Sequence, residues 1–365
     1  MKRVTHVITT ISRGGAENQL LILAREQIRS GWQVSVVYLK DTPELIDNFR
    51  KLGVEVVTDC ANHGVIGQIF WLRNYFKKQF GVIHAHLPRA ELLTSLVAQK
   101  NSFVISRHNA EMFFHSAPIW ISSLLSRFVT KRAMSGIAIS QAVEIFIKST
   151  NEISKKCNIS IIPYGFDDSS PENESYKLLR SDIGLSDNEF VFCTIGRIVE
   201  QKDYPTLLNA FRLVSQDLYN SKLMIIGDGN LKSEMQKLAI DLGISPKVVW
   251  LGRTDRIIES LKLMDCFVLA SQYEGFGLVL LEAMSANIPI VASNVSAIPE
   301  VLGIEHPLLS TPGDPNDFAK NMALVANFDN KERVKLLNMQ IFQLKKFEAK
   351  RMNIAIEKVY SEIVV

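Results

Sequence analysis

Two glutamates eight positions apart, Glu274 and Glu282, flank a Gly275-Phe276-Gly277 turn in the stretch YEGFGLVLLEAMSANIPIVAS, Tyr273 to Ser293. A carboxylate accepts paired hydrogen bonds from vicinal hydroxyls, so this spacing suits recognition of sugars. A helix beginning near Gly277 and running to Ala286 would aim the backbone N–H groups of Phe276, Gly277, Leu278 and Val279 at an anion, which favours a phosphate. Glu282 then lies more than a turn inside the helix and Glu274 just before it. The plainer reading is a helix whose acidic residues only complement its dipole.

Further candidates follow other apolar runs. In Gly196-Arg197-Ile198-Val199-Glu200-Gln201-Lys202, Arg197 can fork onto diphosphate oxygens and Lys202 can add a point charge; taken alone, both are ordinary surface cations. Ser12-Arg13-Gly14-Gly15-Ala16-Glu17 places glycines where backbone can approach a ligand, but it is neither a Gly-x-Gly-x-x-Gly nor a Walker A pattern, and a generic tight turn serves equally. His84 and His86 alternate on one strand face, and Ser106-Arg107-His108-Asn109 ends the next strand. A His pair at this spacing can ligate a metal. No carboxylate or cysteine partner stands out nearby, so His84, His86 and Arg107 are expected to line a polar cleft. No Asp-x-Asp pair occurs in the chain, which leaves positive side chains and helix termini to hold a diphosphate, and no metal is expected.

These residues need positioning elements, and the hydrophobic pattern supplies them. RVTHVIT, WQVSVVYLK, VEVVT, GVIHAH, SFVIS, GIAIS and ISIIP read as strands, with helix-length segments such as AENQLLILAREQIRS and AELLTSLVAQ among them. Strands alternating with helices argue for a doubly wound parallel sheet. PYGFDDSSPENE, Pro163 to Glu174, is rich in turn formers and is the linker candidate. The pattern then restarts: FVFCTIG, a helix from Tyr204, KLMIIG, a helix from Asn230, KVVWLG, CFVLAS, the helix near Gly277, and PIVAS. From Lys331 to Val365 the pattern is helical throughout. The expected division is residues 1–165 as an acceptor-binding domain, joined by a terminal helix at about 345–365, and residues 166–344 as a donor-binding domain, with ligands in a cleft between strand carboxyl ends.

A chain of 365 residues, 47% hydrophobic and 22% charged, fits two soluble domains. Cys60, Cys157, Cys193 and Cys266 show no paired spacing, which argues for a reducing compartment without disulfide or zinc framework. The opening MKRVTHVITTISRGGAENQ reads as a strand rather than a signal peptide. No run approaches the roughly 18 apolar residues of a membrane span. Charge is uneven: residues 1–162 hold 20 Lys and Arg against 11 Asp and Glu, whereas the remainder hold 21 against 27. A basic first half suggests an anionic partner there, with a solvated basic surface as the equal alternative.

On IPYGFD (162–167), GRIVEQK (196–202), IIGDGN (225–230), WLG (250–252) and CFVLASQYEGFGLVLLEAMSANIPIVAS (266–293), the second half resembles the GT-B glycosyltransferases of retaining family 4. The first half is similar more loosely, through RGGAE, HAH and SRHN. The resemblance implies an α/β GT-B fold: two doubly wound Rossmann-like domains facing across a cleft, with a C-terminal helix crossing back to the first. It implies that Arg197 and Lys202 hold the donor diphosphate and stabilise the leaving phosphate, that Glu282 binds the nucleotide ribose, and that Glu274 contacts the donor sugar. Gly275, Phe276 and Gly277 would present backbone to the sugar and phosphate, Gly14 and Gly15 would close from the other domain, and His108 would lie beside the reacting carbon. Three positions depart from the family pattern: Tyr164 replaces Asn of a Pro-Asn-Gly turn, Asp203 replaces a Gly after the lysine, and Asn287 replaces a helix-ending Gly.

The expected function is retaining transfer of a sugar from a nucleotide diphosphate sugar, a UDP-sugar, to an alcohol acceptor such as a lipid-linked oligosaccharide in bacterial surface polysaccharide synthesis. No cofactor and no nucleic-acid partner are expected. The expected location is the cytoplasm or the inner face of the cytoplasmic membrane, where LLSRFVTKRAM, with Arg127, Lys131 and Arg132, could touch anionic lipid, a helix with a merely solvated basic face being the favoured alternative. The alternatives are a GT-B nucleotide-sugar epimerase, a sugar phosphorylase, or a non-catalytic nucleotide-sugar-binding subunit.

Overall fold

The structure, a computed structural model, describes residues 2–40, 42–100, 102–114, 117–167 and 178–362. The chain divides into two compact units, Met1–Asp167 with Phe347–Val365, and Asp168–Lys346.

In the first unit β-branched runs form β1 (Arg3–Ile8), β2 (Gln33–Tyr38), β3 (Glu55–Val57), β4 (Val82–His86), β5 (Phe103–Arg107), β6 (Ser135–Ala138) and β7 (Asn158–Ile161). All pair in parallel in the order β3-β2-β1-β4-β5-β6-β7. The second unit repeats the plan with β8 (Phe190–Ile195), β9 (Ser221–Ile226), β10 (Val248–Gly252), β11 (Cys266–Leu269), β12 (Ile290–Ser293) and β13 (Leu309–Ser310), ordered β10-β9-β8-β11-β12-β13. Parallel strands are covered on both faces, which explains why they read as continuous apolar runs. Only β13 is unmarked in the hydrophobic pattern, because two residues at a sheet edge carry no periodicity to read.

Local chemistry sets the helix ends. Asp314 caps the helix Pro315–Ala326, with proline at its first position. Asp329 and Glu332 form a capping box on Asn330–Leu344. The helical pattern from Lys331 resolves into two helices, Asn330–Leu344 and Ala349–Ser361, separated by a short 3₁₀ turn at Lys345–Phe347, and the second falls within the terminal helix expected at about 345–365.

The last helix completes the first unit's core. It packs on Gly15–Arg29, and Met352, Ile356 and Tyr360 join Leu20, Leu23, Trp32 and Val36 in one apolar cluster. Full burial of side chains of this size stabilises by about 1.5–3 kcal/mol each. The linker expectation needs correcting at its start. Phe166 N–H donates to Phe347 O at 2.6 Å and Ala349 N–H to Phe166 O at 3.0 Å, so 163–167 belong to the first unit. A Cβ on Gly165 would sit 2.6 Å from the Cα of Ala349, which accounts for glycine there. The rest of the linker, 168–174, lies outside the described residues.

Candidate active site

In each sheet the strand order reverses once, between β1 and β4 and between β8 and β11, and ligands of open α/β folds bind beyond the strand carboxyl ends at such a point. In the second unit two loops leave that point, Gly196–Lys202 after β8 and Ser271–Gly277 after β11. They are tied together: Gln272 N–H donates to Gln201 O at 2.8 Å, and Gln201 Nε2 donates to Tyr273 O at 2.9 Å.

This tie brings Lys202 Nζ to 2.6 Å from Glu274 Oε1, which also accepts from Ser271 Oγ at 2.7 Å. Glu274 is buried at 6% exposure, so its charge is matched by a cation and a hydroxyl, as burial requires. Arg197, on the same loop as Lys202, is exposed, and its guanidinium has no partner among the described residues. Burial raises the Glu282 carboxyl to about 7, with Lys202 pulling the other way.

The backbone explains two departures from the family pattern. Asp203 sits in the left-handed region at φ +47°, where glycine is the usual occupant, and its carboxylate accepts from Thr206 N–H at 3.3 Å and Thr206 Oγ1 at 2.8 Å. The cap on Tyr204–Asp217 thus offsets the strain. Asn287 follows the end of Leu278–Ser285 at φ +58°, a conformation Asn tolerates. Gly277, at φ +85°, is the N-cap of that helix and supplies no side chain to its N–H groups.

Arg197, Lys202, Gly275, Phe276, Gly277, Leu278, Glu274 and Glu282 belong to the second unit, and Gly14, Gly15, His84, His86, Arg107 and His108 to the first. Gly14 caps the helix Gly15–Arg29, and Glu17, held by the Thr10 hydroxyl, folds over it. The expectation that His84, His86 and Arg107 line a cleft is corrected. They are 0%, 3% and 6% exposed.

Arg107 is a core cation. It pairs with Glu91 at 2.9 Å and Glu152 at 3.3 Å, donates to Ser126 Oγ at 2.9 Å, and lies over the Phe113 ring at 4.4 Å. Burial pushes Glu91 up to about 7, Arg107 opposing it. The histidines form a second interior group. Gln27 Oε1 lies 2.8 Å from His6 Nε2, His6 Nδ1 lies 2.9 Å from His86 Nε2, His86 Nδ1 lies 3.1 Å from His108 Nε2, and His108 Nδ1 lies 2.5 Å from the Tyr164 hydroxyl. His84 joins from the side, with Tyr360 Oη at 2.6 Å and Ser106 Oγ at 2.8 Å. Burial lowers His6 to about 4 and His108 to about 3, and holds His84 and His86 well below the ordinary range, so all four rings are neutral. The next residue, Leu87, has φ +69° and ψ 150°, a strained backbone beside the group.

Sequence reasoning missed His6, Gln27 and Tyr360 here, and Ser271 and Gln201 in the second unit. The signal for His6 lay in the sheet register, since β1 and β4 align it with His84. Among the described residues His6, His84 and His86 are the grouping able to hold a metal, with ligand atoms within 4.8 Å of one another.

Known proteins share this architecture. The family model described as Glycosyltransferase Family 4 matches residues 13–170, and the one described as Glycosyl transferases group 1 matches residues 175–337. The chain is a family 4 glycosyltransferase. The glycosyltransferase is 28% identical to an uncharacterised glycosyltransferase of Methanocaldococcus jannaschii over 306 residues, 77% of this chain and 76% of that protein. It is 27% identical to the UDP-Gal:alpha-D-GlcNAc-diphosphoundecaprenol alpha-1,3-galactosyltransferase of Escherichia coli over 256 residues, 66% of each. Its fold matches Anabaena HepE, solved in complex with UDP and glucose, with a TM-score of 0.83 over 99% of this chain and 100% of that one, at 19% identity. The fold is GT-B.

Proposed function

We propose that the enzyme transfers a sugar with retention from a UDP-sugar to the hydroxyl of a lipid-linked glycan. The observation that carries this reading is the switch-point group of the second unit: an exposed Arg197, without a partner among the described residues, on the same loop as a Lys202 that is already paired with a carboxylate. Arg197 and Lys202 take the diphosphate, whose arrival competes with Glu274 for the ammonium and frees that carboxylate for sugar hydroxyls. Glu282, with its raised pKa, takes the ribose hydroxyls, and Gly275 to Leu278 lie against the phosphates at the helix N-terminus. His108, Gly14 and Gly15, all in the first unit, are assigned contacts with the substrates: His108 with the reacting sugar, Gly14 and Gly15 with the donor. The bond from the sugar carbon to the diphosphate oxygen breaks, the bond to the acceptor oxygen forms, and the acceptor's proton leaves with the diphosphate. Preorganised cations stabilise the charge that develops on the leaving group, and stabilisation of this kind usually dominates enzymatic rate enhancement. The UDP in HepE and the UDP-galactose and diphosphoundecaprenol in the Escherichia coli relative's name support this choice of donor and acceptor.

The acceptor's membrane anchoring has a counterpart in the helix Ile119–Arg132. It exposes Ile119, Trp120, Leu124 and Phe128 beside the exposed Arg127 and Lys131. Apolar side chains flanked by cations suit an anionic lipid surface. Arg132 does not share this role, because its guanidinium caps the carbonyls of Ser95 and Ala98. No helix among the described residues is long and apolar enough to cross a membrane.

A thermal-shift screen of nucleotide sugars tests the donor, since a ligand at a hundred times its Kd stabilises the fold by about 2.7 kcal/mol. UDP-sugars are expected to give the largest shifts, and transfer is expected to persist in EDTA. Product formed from donor alone, or equal shifts with every nucleotide, would overturn the reading. Pelleting with phosphatidylglycerol vesicles, lost on replacing Arg127 and Lys131 by Ser, tests the membrane contact; equal pelleting with phosphatidylcholine would count against it.

A further inference from the structure

The histidine group has a direction. A neutral imidazole donates through one nitrogen and accepts at the other, so in a chain of rings the first partner determines every tautomer. That partner is Gln27, which is fully buried. Its Nε2 donates to the Tyr360 hydroxyl at 3.3 Å, which leaves Oε1, an acceptor only, toward His6 Nε2. His6 therefore carries its proton on Nε2 and accepts at Nδ1, His86 Nε2–H donates to it, and His86 Nδ1 accepts in turn from His108 Nε2–H. The last acceptor is His108 Nδ1, to which the Tyr164 hydroxyl donates. Tyr360 gives its own proton to His84 Nδ1, so His84 Nε2–H donates to Ser106 and holds the same tautomer.

We propose that Gln27, His6 and His86 are positioning residues that fix the tautomer and orientation of His108, with its Nδ1 as a hydrogen-bond acceptor filled by the Tyr164 hydroxyl. The effect on turnover rests on the proposed role of His108 in contacting the reacting sugar. The chain starts at an amide, which cannot take up a proton, so it orients His108 and does not carry a proton away from it. The departure of Tyr164 from the family's Asn acquires a role here: its phenol, stacked on the His108 ring at 5.7 Å, reaches Nδ1.

Nuclear magnetic resonance of the full-length enzyme carrying ¹⁵N-histidine tests the chain without any variant. Protons bonded to His86 Nε2 and His108 Nε2 are expected, each coupled through its hydrogen bond to a second ring nitrogen. Protons on Nδ1, missing couplings, or a stoichiometric metal on the purified protein would overturn the chain, whatever the enzyme transfers. Replacing Gln27 by Leu is expected to give mixed tautomers at His108 and a kcat about 10–100-fold lower, taking as guide the range for loss of a partner that orients a metal-ligating imidazole. KM for the UDP-sugar giving the largest thermal shift should stay unchanged. Tyr164→Phe is expected to leave the tautomer intact. A Gln27→Leu enzyme that folds and turns over at the wild-type rate, with the couplings present in the wild type, would overturn the positioning role alone.

Discussion

Lys202 and Glu274, 72 positions apart in the chain, meet at 2.6 Å. The contact joins the loops after β8 and β11, so one ion pair spans the point where strand order reverses. It also means that neither residue acts alone. Each charge presets the other's geometry before a ligand arrives.

A double-mutant cycle should expose this coupling. Lys202→Met and Glu274→Gln are each expected to lower kcat for sugar transfer about 10²–10³-fold, as loss of one group that stabilises transition-state charge does. In urea unfolding the pair is expected to show an interaction energy of about 0.5–3 kcal/mol. Strictly additive stability effects would show that the pair is not formed in solution.

Asp203 offers a test of backbone strain against capping. Asp203→Ala loses the cap on Thr206 while keeping the left-handed strain already present, an expected cost of about 0.5–2 kcal/mol. Asp203→Gly loses the same cap but relieves the strain, and should fall within a few tenths of a kcal/mol of the wild type. Chemical denaturation of the two variants measures the difference.

Arg107→Leu should be among the most damaging changes to the first unit, because it strands Glu91 and Glu152 in the interior. Breaking a buried pair in this way costs about 3–5 kcal/mol. Replacing Glu91 by Gln leaves a neutral isostere at a site whose pKa is already raised and is expected to be much milder. Thermal unfolding of both variants checks the order.

Acid should act unequally on the two units. His6, His84, His86 and His108 stay neutral when folded but take up protons near pH 6.5 when unfolded, so the unfolded chain binds more protons below that pH. Their contribution is present above about pH 6.5 and is lost as pH falls, by about 1.4 kcal/mol per pH unit for each net proton. Glu91 has the opposite sign: its contribution is present below its ordinary value of 4.5 and is lost as pH rises through about 7. In the second unit His306, lowered to about 4, and Glu282, raised to about 7, oppose each other one for one. On going from pH 7 to pH 5, hydrogen exchange corrected for intrinsic rates is therefore expected to show opening accelerate more in peptides from β1 and β4 than in those from β8 and β11.

Much of this architecture was legible in the sequence because buried parallel strands declare themselves as β-branched runs. The loops carrying Arg197, Lys202, Glu274 and Glu282 were also legible, and the fold brings Lys202 and Glu274 of those loops together. Contacts between distant residues were not legible. Arg107 reads as a cleft residue because an arginine is usually exposed, and its partners Glu91 and Glu152 carry no mark of their role in the sequence. His6 and His86 are 80 positions apart, and only the pairing of β1 with β4 makes them neighbours. Tyr164 reads as a departure in a loop, since nothing local shows that its hydroxyl meets His108.

The first unit is built from both ends of the chain, with Tyr360 at 0% exposure in a core that begins at Val4. On the ribosome, its sheet is therefore made long before the helix that covers it. One apolar face must wait in the open while the whole second unit is synthesised, a window in which holdase chaperones and aggregation compete for the nascent chain. Cutting the chain after residue 347 would make that interval permanent.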